Sequence, residues 1–234
     1  MSETQRLDHE KTAFLSSLAH ELQNPLTSII GFLEMLKEQQ MTEERRMRCL
    51  SLCYDDAQRM RKMLDDIGLI DKLDRDLLRL RPEVHRFDDL LTRMVGSYTE
   101  RFPGCSFSLV FEAENVTAEY DEILLSQVMD NLLSNAVKYT DGSGAVTVRQ
   151  AVKDRRLLIS VADNGIGIAE ECIPFVFDKY YRVDSPDTRR IGGLGLGLAN
   201  TRRILEEHGG SIWVKSKEGE GTEFFFSLPL QAQL

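Results

Sequence analysis

Leu15, Leu18, Leu22, Leu26, Ile29, Leu33 and Leu36 recur at intervals of three and four, the spacing of one helix face. After a break in which Thr42 suits an N-cap, Leu50, Cys53, Ala57, Met60, Leu64 and Ile67 repeat the pattern. Two long amphipathic helices joined by a turn around Gln39 to Thr42 make an antiparallel hairpin. One hairpin offers too little surface to bury both stripes. The pattern therefore predicts a homodimeric four-helix bundle; the alternative is a single hairpin packed on whatever follows it. Pro25 crowds the carbonyl of Glu21, and a bend is expected there.

The charged run Asp71-Lys72-Leu73-Asp74-Arg75-Asp76 ends the periodic pattern and is the linker candidate. It divides the chain into a helical hairpin over 1–75 and a second domain over 78–234. In the second domain strands and helices alternate. A short strand is expected over 84–87, a helix over 88–101 and a strand over 106–112. Asp121 caps a helix to Tyr139, a hairpin over 145–152 and 156–162 turns at Lys153-Asp154, and a helix over 197–208 stops at Gly209-Gly210. Two closing strands near 211–216 and 223–228 complete an α/β sandwich. The fold class is thus multidomain: an all-α dimeric helical hairpin, then an α/β sandwich.

A net charge of -9 argues against a nucleic-acid binder that relies on a basic surface. No apolar run is long enough to span a bilayer, so the expected location is the cytoplasm, or the cytoplasmic portion of a longer membrane sensor. The four cysteines, Cys49, Cys53, Cys105 and Cys172, lack paired metal-ligand spacing, and core packing is expected of Cys53. His208 falls in the last turn of a helix, where a cation suits the dipole.

Several stretches carry chemistry. His20 lies roughly 160° around the helix from Leu18 and Leu22, on the wet face, with Asn24 one turn on and Glu21 beside it. Asn131, Asn135, Lys138 and Tyr139 follow helical steps, placing two carboxamides and an ammonium on one face; carboxamide oxygens suit Mg²⁺. Asp163-Asn164-Gly165-Ile166-Gly167 follows an apolar strand, where the carboxylate can accept from an exocyclic amine such as that of adenine. Phe175 to Arg182 is aromatic-rich, with Arg182 a phosphate clamp candidate. Gly193, Gly195 and Gly197 lead into a helix whose first amides favour phosphate. No P-loop motif occurs.

In this order and spacing, these stretches resemble the transmitter core of the sensor histidine kinases of two-component systems. The resemblance covers nearly the whole chain: a dimerisation and histidine-phosphotransfer domain, then a Bergerat-type ATP-binding domain. It implies that His20 attacks the γ-phosphate of ATP through Nε2 and then passes the phosphoryl group to an aspartate of a response regulator receiver domain. Glu21 matches the general base or orienting carboxylate at Nδ1. Asn24 matches the position that places a water for dephosphorylating the regulator. Asn135 matches the main Mg²⁺ ligand and Asn131 a supporting one. Lys138, Tyr139 and Arg182 match nucleotide and phosphate contacts, Asp163 the adenine contact, and Gly165, Gly167, Gly193, Gly195 and Gly197 the flanking glycine loops. The chain departs from many relatives at Gln23-Asn24, where Arg-Thr is common, and at Leu194, where a hydroxyl residue is common.

Two other readings stay open on sequence alone. One is an ATPase of the same nucleotide fold that uses ATP to close a dimer, with Glu122 or Asp130 activating water. The other is a non-catalytic dimeric scaffold.

Overall fold

In a computed structural model the described residues are 3–37, 41–75, 77–183 and 194–230, with side chains described from Leu18 onward. Helix α1 (Glu3–Lys37) and helix α2 (Glu43–Asp74) form the hairpin. The hydroxyl of Thr42 accepts from the N–H of Arg45, as an N-cap should. Helix α1 continues through Pro25, which is buried, so the proline does not interrupt it. Cys49 is buried and Cys53 half-buried, the reverse of their expected emphasis. Leu26, Leu33, Leu50 and Leu64 remain exposed, so the hairpin leaves much of its apolar stripe uncovered.

Over its described part, Asp71 to Arg75, the charged run does not behave as a loose linker. Helix α2 persists to Asp74, and Leu69 and Leu73 enter the main core of the second domain, Leu73 being 1% exposed. Burying two leucines is worth about 1.5–3 kcal/mol each. The charged residues flanking Leu73 obscured this in the sequence.

The second domain begins with β1 (Glu83–Arg86), α3 (Phe87–Arg101), β2 (Ser106–Phe111) and β3 (Thr117–Tyr120). It continues with α4 (Glu122–Tyr139), β4 (Ala145–Lys153), β5 (Arg156–Asp163) and a short 3₁₀ helix (Glu170–Phe175). Helix α5 (Gly197–Glu207), β6 (Ser211–Lys217) and β7 (Gly221–Pro229) complete it. The main sheet has the order β2-β4-β5-β7-β6, parallel only between β2 and β4. Strands β1 and β3 form a separate antiparallel pair. Leu157, Ile159, Val161, Phe224 and Phe226 are buried against Leu125, Met129, Leu132 and Leu133 of α4. The β4 to β5 turn lies at Asp154-Arg155, one residue later than expected, with both residues at positive φ as a tight hairpin turn requires.

Asp121 caps α4, its carboxylate accepting from Ile123 and Leu124. The N–H of Asp121 donates to Nε2 of His208 at 3.0 Å, and Nδ1 of that ring lies 2.7 Å from the carbonyl of Ile204. A ring that accepts at one nitrogen and donates at the other is neutral. His208 therefore ties α5 to the start of α4 rather than serving as a cation. No helix among the described residues is long and apolar enough to cross a membrane.

Candidate functional site

A cavity of about 890 Å³ opens between α2, α4, the end of β5 and the loop entering α5. Helical periodicity turns Asn131, Asn135, Lys138 and Tyr139 to its side while Leu132, Leu133, Ala136 and Val137 face the core. Asp163 lies opposite, at the C-terminal end of β5. Gly167, Arg182, Gly195 and Gly197 also line the space. Gly165 lies just behind, donating its N–H to Oδ1 of Asp163 at 2.9 Å. Gly193 lies outside the described residues. The structure thus brings the separated polar stretches of the second domain to one place.

Two glycines are needed for close approach. Gly167 has φ +71°, and a Cβ there would strike the carbonyl of Lys217. A Cβ at Gly197 would strike the carboxamide of Asn131. Asn131 is partly committed: its Nδ2 donates to Thr201 Oγ1 at 2.9 Å, and that hydroxyl donates to the carbonyl of Gly197 at 2.9 Å. This chain of bonds locks α4 to the first turn of α5.

The electrostatics separate the two ends of the cavity. Burial pushes the Asp163 carboxyl above its usual range, although the N–H groups of Gly165 and Thr222 pull it back in part. At the other end, loss of hydration between the cavity walls lowers the pKa of Lys138. The charges of Lys62 and Arg59 lower it further, while Asp130 and Asp66 oppose. Lys138 nevertheless keeps an open side toward solvent. One end thus suits an amine donor and the other a polyanion.

His20 is exposed on α1, and Nδ2 of Asn24 lies 3.3 Å from its Nδ1. Glu21 points elsewhere: its Oε1 lies 3.2 Å from Nη1 of Arg182, the residue that lines the cavity. The expectation that Glu21 holds Nδ1 is therefore not the arrangement seen; Asn24 occupies that place. Beside His20, Leu18 and Leu22 pack with Met63, Ile67 and Ile70 of α2 against Leu194 and Leu196. Leu194 is 8% and Leu196 1% exposed. That contact gives a physical reason for an apolar residue where a hydroxyl was expected.

Sequence reasoning missed the contribution of α2, whose Arg59, Lys62, Met63 and Asp66 form part of the cavity wall. The spacing of residues 59, 62 and 66 was a signal, since it puts them on one helical face. Glu122 and Asp130 do not line the cavity. Glu122 pairs with Arg93 at 2.7 Å, and Asp130 is held by Lys62 and by the Tyr98 hydroxyl at 2.7 Å.

Residues 10–76 match the family described as the His Kinase A (phospho-acceptor) domain. Residues 120–232 match that of the histidine kinase-, DNA gyrase B- and HSP90-like ATPases. The chain belongs to the histidine kinases. Its second domain is accordingly an ATP-binding one. The chain is 33% identical over 99% of its length to the sensor protein kinase WalK of Staphylococcus aureus. It covers 56% of that relative and 38% of longer forms, so the curated relatives extend well beyond it. Full-length ShkA, solved in complex with AMPPNP, aligns over 92% of the chain and 45% of its own, with TM-score 0.69 and 27% identity. The catalytic domain of the histidine kinase ThkA aligns over 64% of the chain and 95% of its own, with TM-score 0.56 and 26% identity.

Proposed function

We propose that this protein is an ATP-dependent protein-histidine kinase that phosphorylates itself on His20 and passes the group to an aspartate of a response regulator receiver domain. The observation that carries this reading is the contact between Glu21 and Arg182, which joins the helix of His20 to the wall of the nucleotide cavity. The hairpin over 1–75 presents the acceptor, and the domain over 78–234 presents ATP. Two copies of the hairpin form a four-helix bundle through the exposed leucines.

In the reaction, Nε2 of His20 attacks the γ-phosphorus; the N–P bond forms as the bond to the β,γ-bridging oxygen breaks, and ADP leaves. Attack requires the Nε2 lone pair, so the ring proton must sit on Nδ1. With the amide nitrogen of Asn24 toward Nδ1, that nitrogen accepts and Nε2 carries the proton. Turning the carboxamide by 180° presents Oδ1 to an Nδ1–H and frees Nε2. When Arg182 exchanges Glu21 for the γ-phosphate, the released carboxylate becomes available as a base for the proton leaving the ring.

Asp163 accepts from the adenine amine, while Lys138 and Arg182 meet the phosphates. Gly165, Gly195 and Gly197 allow the backbone to lie close to the nucleotide. The carboxamides of Asn135 and Asn131 fit Mg²⁺, a hard cation that keeps waters and shares phosphate oxygens; it would neutralise charge on the phosphates. Asn24, beside the acceptor, also suits a water-placing role in removing the phosphoryl group from the regulator.

The test is labelling with γ-labelled ATP. Wild type should give an acid-labile, base-stable label, and His20→Ala should give none while still binding nucleotide. Such a label persisting in His20→Ala overturns the acceptor assignment. Asn135→Ala should lose Mg²⁺-dependent ATP binding. An ATPase that only closes a dimer would release free phosphate and leave the protein unlabelled; the placement of Glu122 and Asp130 outside the cavity disfavours it.

A further inference from the structure

The hairpin does more than carry the acceptor. Arg59, Lys62 and Asp66 stand at helical steps of three and four on α2, on the face that walls the cavity opposite Asn131, Asn135 and Lys138. That face is held in place from several sides. Nδ2 of Asn200, on α5, donates to the carbonyl of Asp66 at 3.0 Å, and Lys62 pairs with Asp130 of α4. One and two turns further on, Leu69 and Leu73 sit in the core of the nucleotide domain.

Three cations, Arg59, Lys62 and Lys138, therefore converge on the polyanion end of one cavity. Their mutual repulsion is felt, since Lys62 and Arg59 help lower the pKa of Lys138. Like charges gathered in this way are stabilised by a bound anion. Asp130 and Asp66 offset part of the charge, but the Asp130 carboxylate is already divided between Lys62 and the Tyr98 hydroxyl, and burial pushes the Asp66 carboxyl up, toward its neutral form.

We propose that Lys62 and Arg59 of the phosphotransfer helix are triphosphate-selecting residues, contacting the terminal phosphate of the nucleotide across the domain boundary. The inference rests on the nucleotide reading above and deepens it: the docked hairpin completes the phosphate end of the site. Lys62 exchanges Asp130 for the γ-phosphate when a triphosphate enters. A diphosphate leaves Lys62 on Asp130. The hairpin thereby discriminates substrate from product at the same site that feeds His20.

The experiment titrates the full chain with AMPPNP and with ADP, each with Mg²⁺, and compares wild type with Lys62→Gln, Arg59→Gln and the double variant. Losing one charge-assisted contact should weaken AMPPNP roughly tenfold in each single variant, and more in the double, while ADP changes by less than about twofold. Asp130→Asn removes the competing carboxylate but keeps Lys62, and should hold or raise AMPPNP affinity. The proposal is overturned if the variants bind AMPPNP as wild type does, or lose AMPPNP and ADP equally. It is also overturned if Asp130→Asn reproduces the Lys62→Gln loss, since Lys62 then acts only as a domain link. Failure of wild type to bind either nucleotide would instead sink the nucleotide reading, and this proposal with it.

Discussion

The carboxamide nitrogen of Asn24 lies 3.3 Å from Nδ1 of His20, one turn along the same exposed helix face. In the proposed reaction, Asn24 is the group that sets which ring nitrogen is protonated. Asn24→Ala should slow autophosphorylation by a few-fold to tenfold, because the ring then divides between tautomers; one tenfold step corresponds to about 1.4 kcal/mol. On the proposed water-placing role of this carboxamide, removal of phosphate from the regulator should fall further. Single-turnover labelling and a regulator dephosphorylation assay measure the two. Equal small losses in both would deny Asn24 a special part in the second.

The raised pKa of Asp163 gives nucleotide binding a pH dependence. In the proposed adenine contact the amine needs the ionised carboxylate, so affinity should fall as pH drops, beginning at a higher pH than the usual 3.8 of an aspartate would give. The effect on the empty protein has the opposite sign. A carboxyl whose folded pKa is raised contributes stability below its unfolded value and loses that contribution as pH rises through its folded value. Calorimetric titration between about pH 4 and 7 should show this slope in wild type. Asp163→Asn should bind weakly at every pH and show a flatter profile.

The uncovered stripe of the hairpin predicts self-association. Leu33 is 46% and Leu64 57% exposed, and burying such side chains in a second copy is worth about 1.5–3 kcal/mol each. Light scattering should report a dimer at micromolar concentration. The pair Leu33→Glu and Leu64→Glu should give a folded monomer, read from an unchanged circular dichroism spectrum.

Stability of the nucleotide domain depends on Asp88, buried at the start of α3. Burial alone would raise its pKa, but the side chain of Gln150 and the N–H groups of Asn115 and Val116 donate to the carboxylate and lower it. Its stabilising contribution is therefore full above the unfolded pKa and lost as pH falls through the folded one. Asp88→Asn turns an acceptor oxygen into a donor facing these N–H groups and should cost about 1–3 kcal/mol at neutral pH. Denaturant unfolding of wild type and variant should converge on acidification.

Much of this could be read from the chain. The three-four repeats located both hairpin helices, Thr42 and Asp121 marked helix starts, and the polar steps from Asn131 to Tyr139 named one cavity wall. Strand β3 was missed because Thr117 to Tyr120 is too short for alternation to stand out, and pairing with β1 decides it. The 3₁₀ helix over Glu170–Phe175 has too few residues to show a period. The cavity face of α2 was overlooked because Arg59 and Lys62 look like ordinary wet charges until another domain lies against them. Leu194, read as a lost hydroxyl, proved to be a packing residue for the same reason: its partners lie more than a hundred residues away.

Leu194 and Leu196 belong to the glycine segment over the nucleotide cavity, yet they are gripped by Leu18, Leu22, Met63, Ile67 and Ile70 of the hairpin. Lifting that segment drags both leucines into water, at about 1.5–3 kcal/mol each. The mouth of the nucleotide cavity and the histidine helix thus share one oily clasp: parting them exposes apolar surface on both sides.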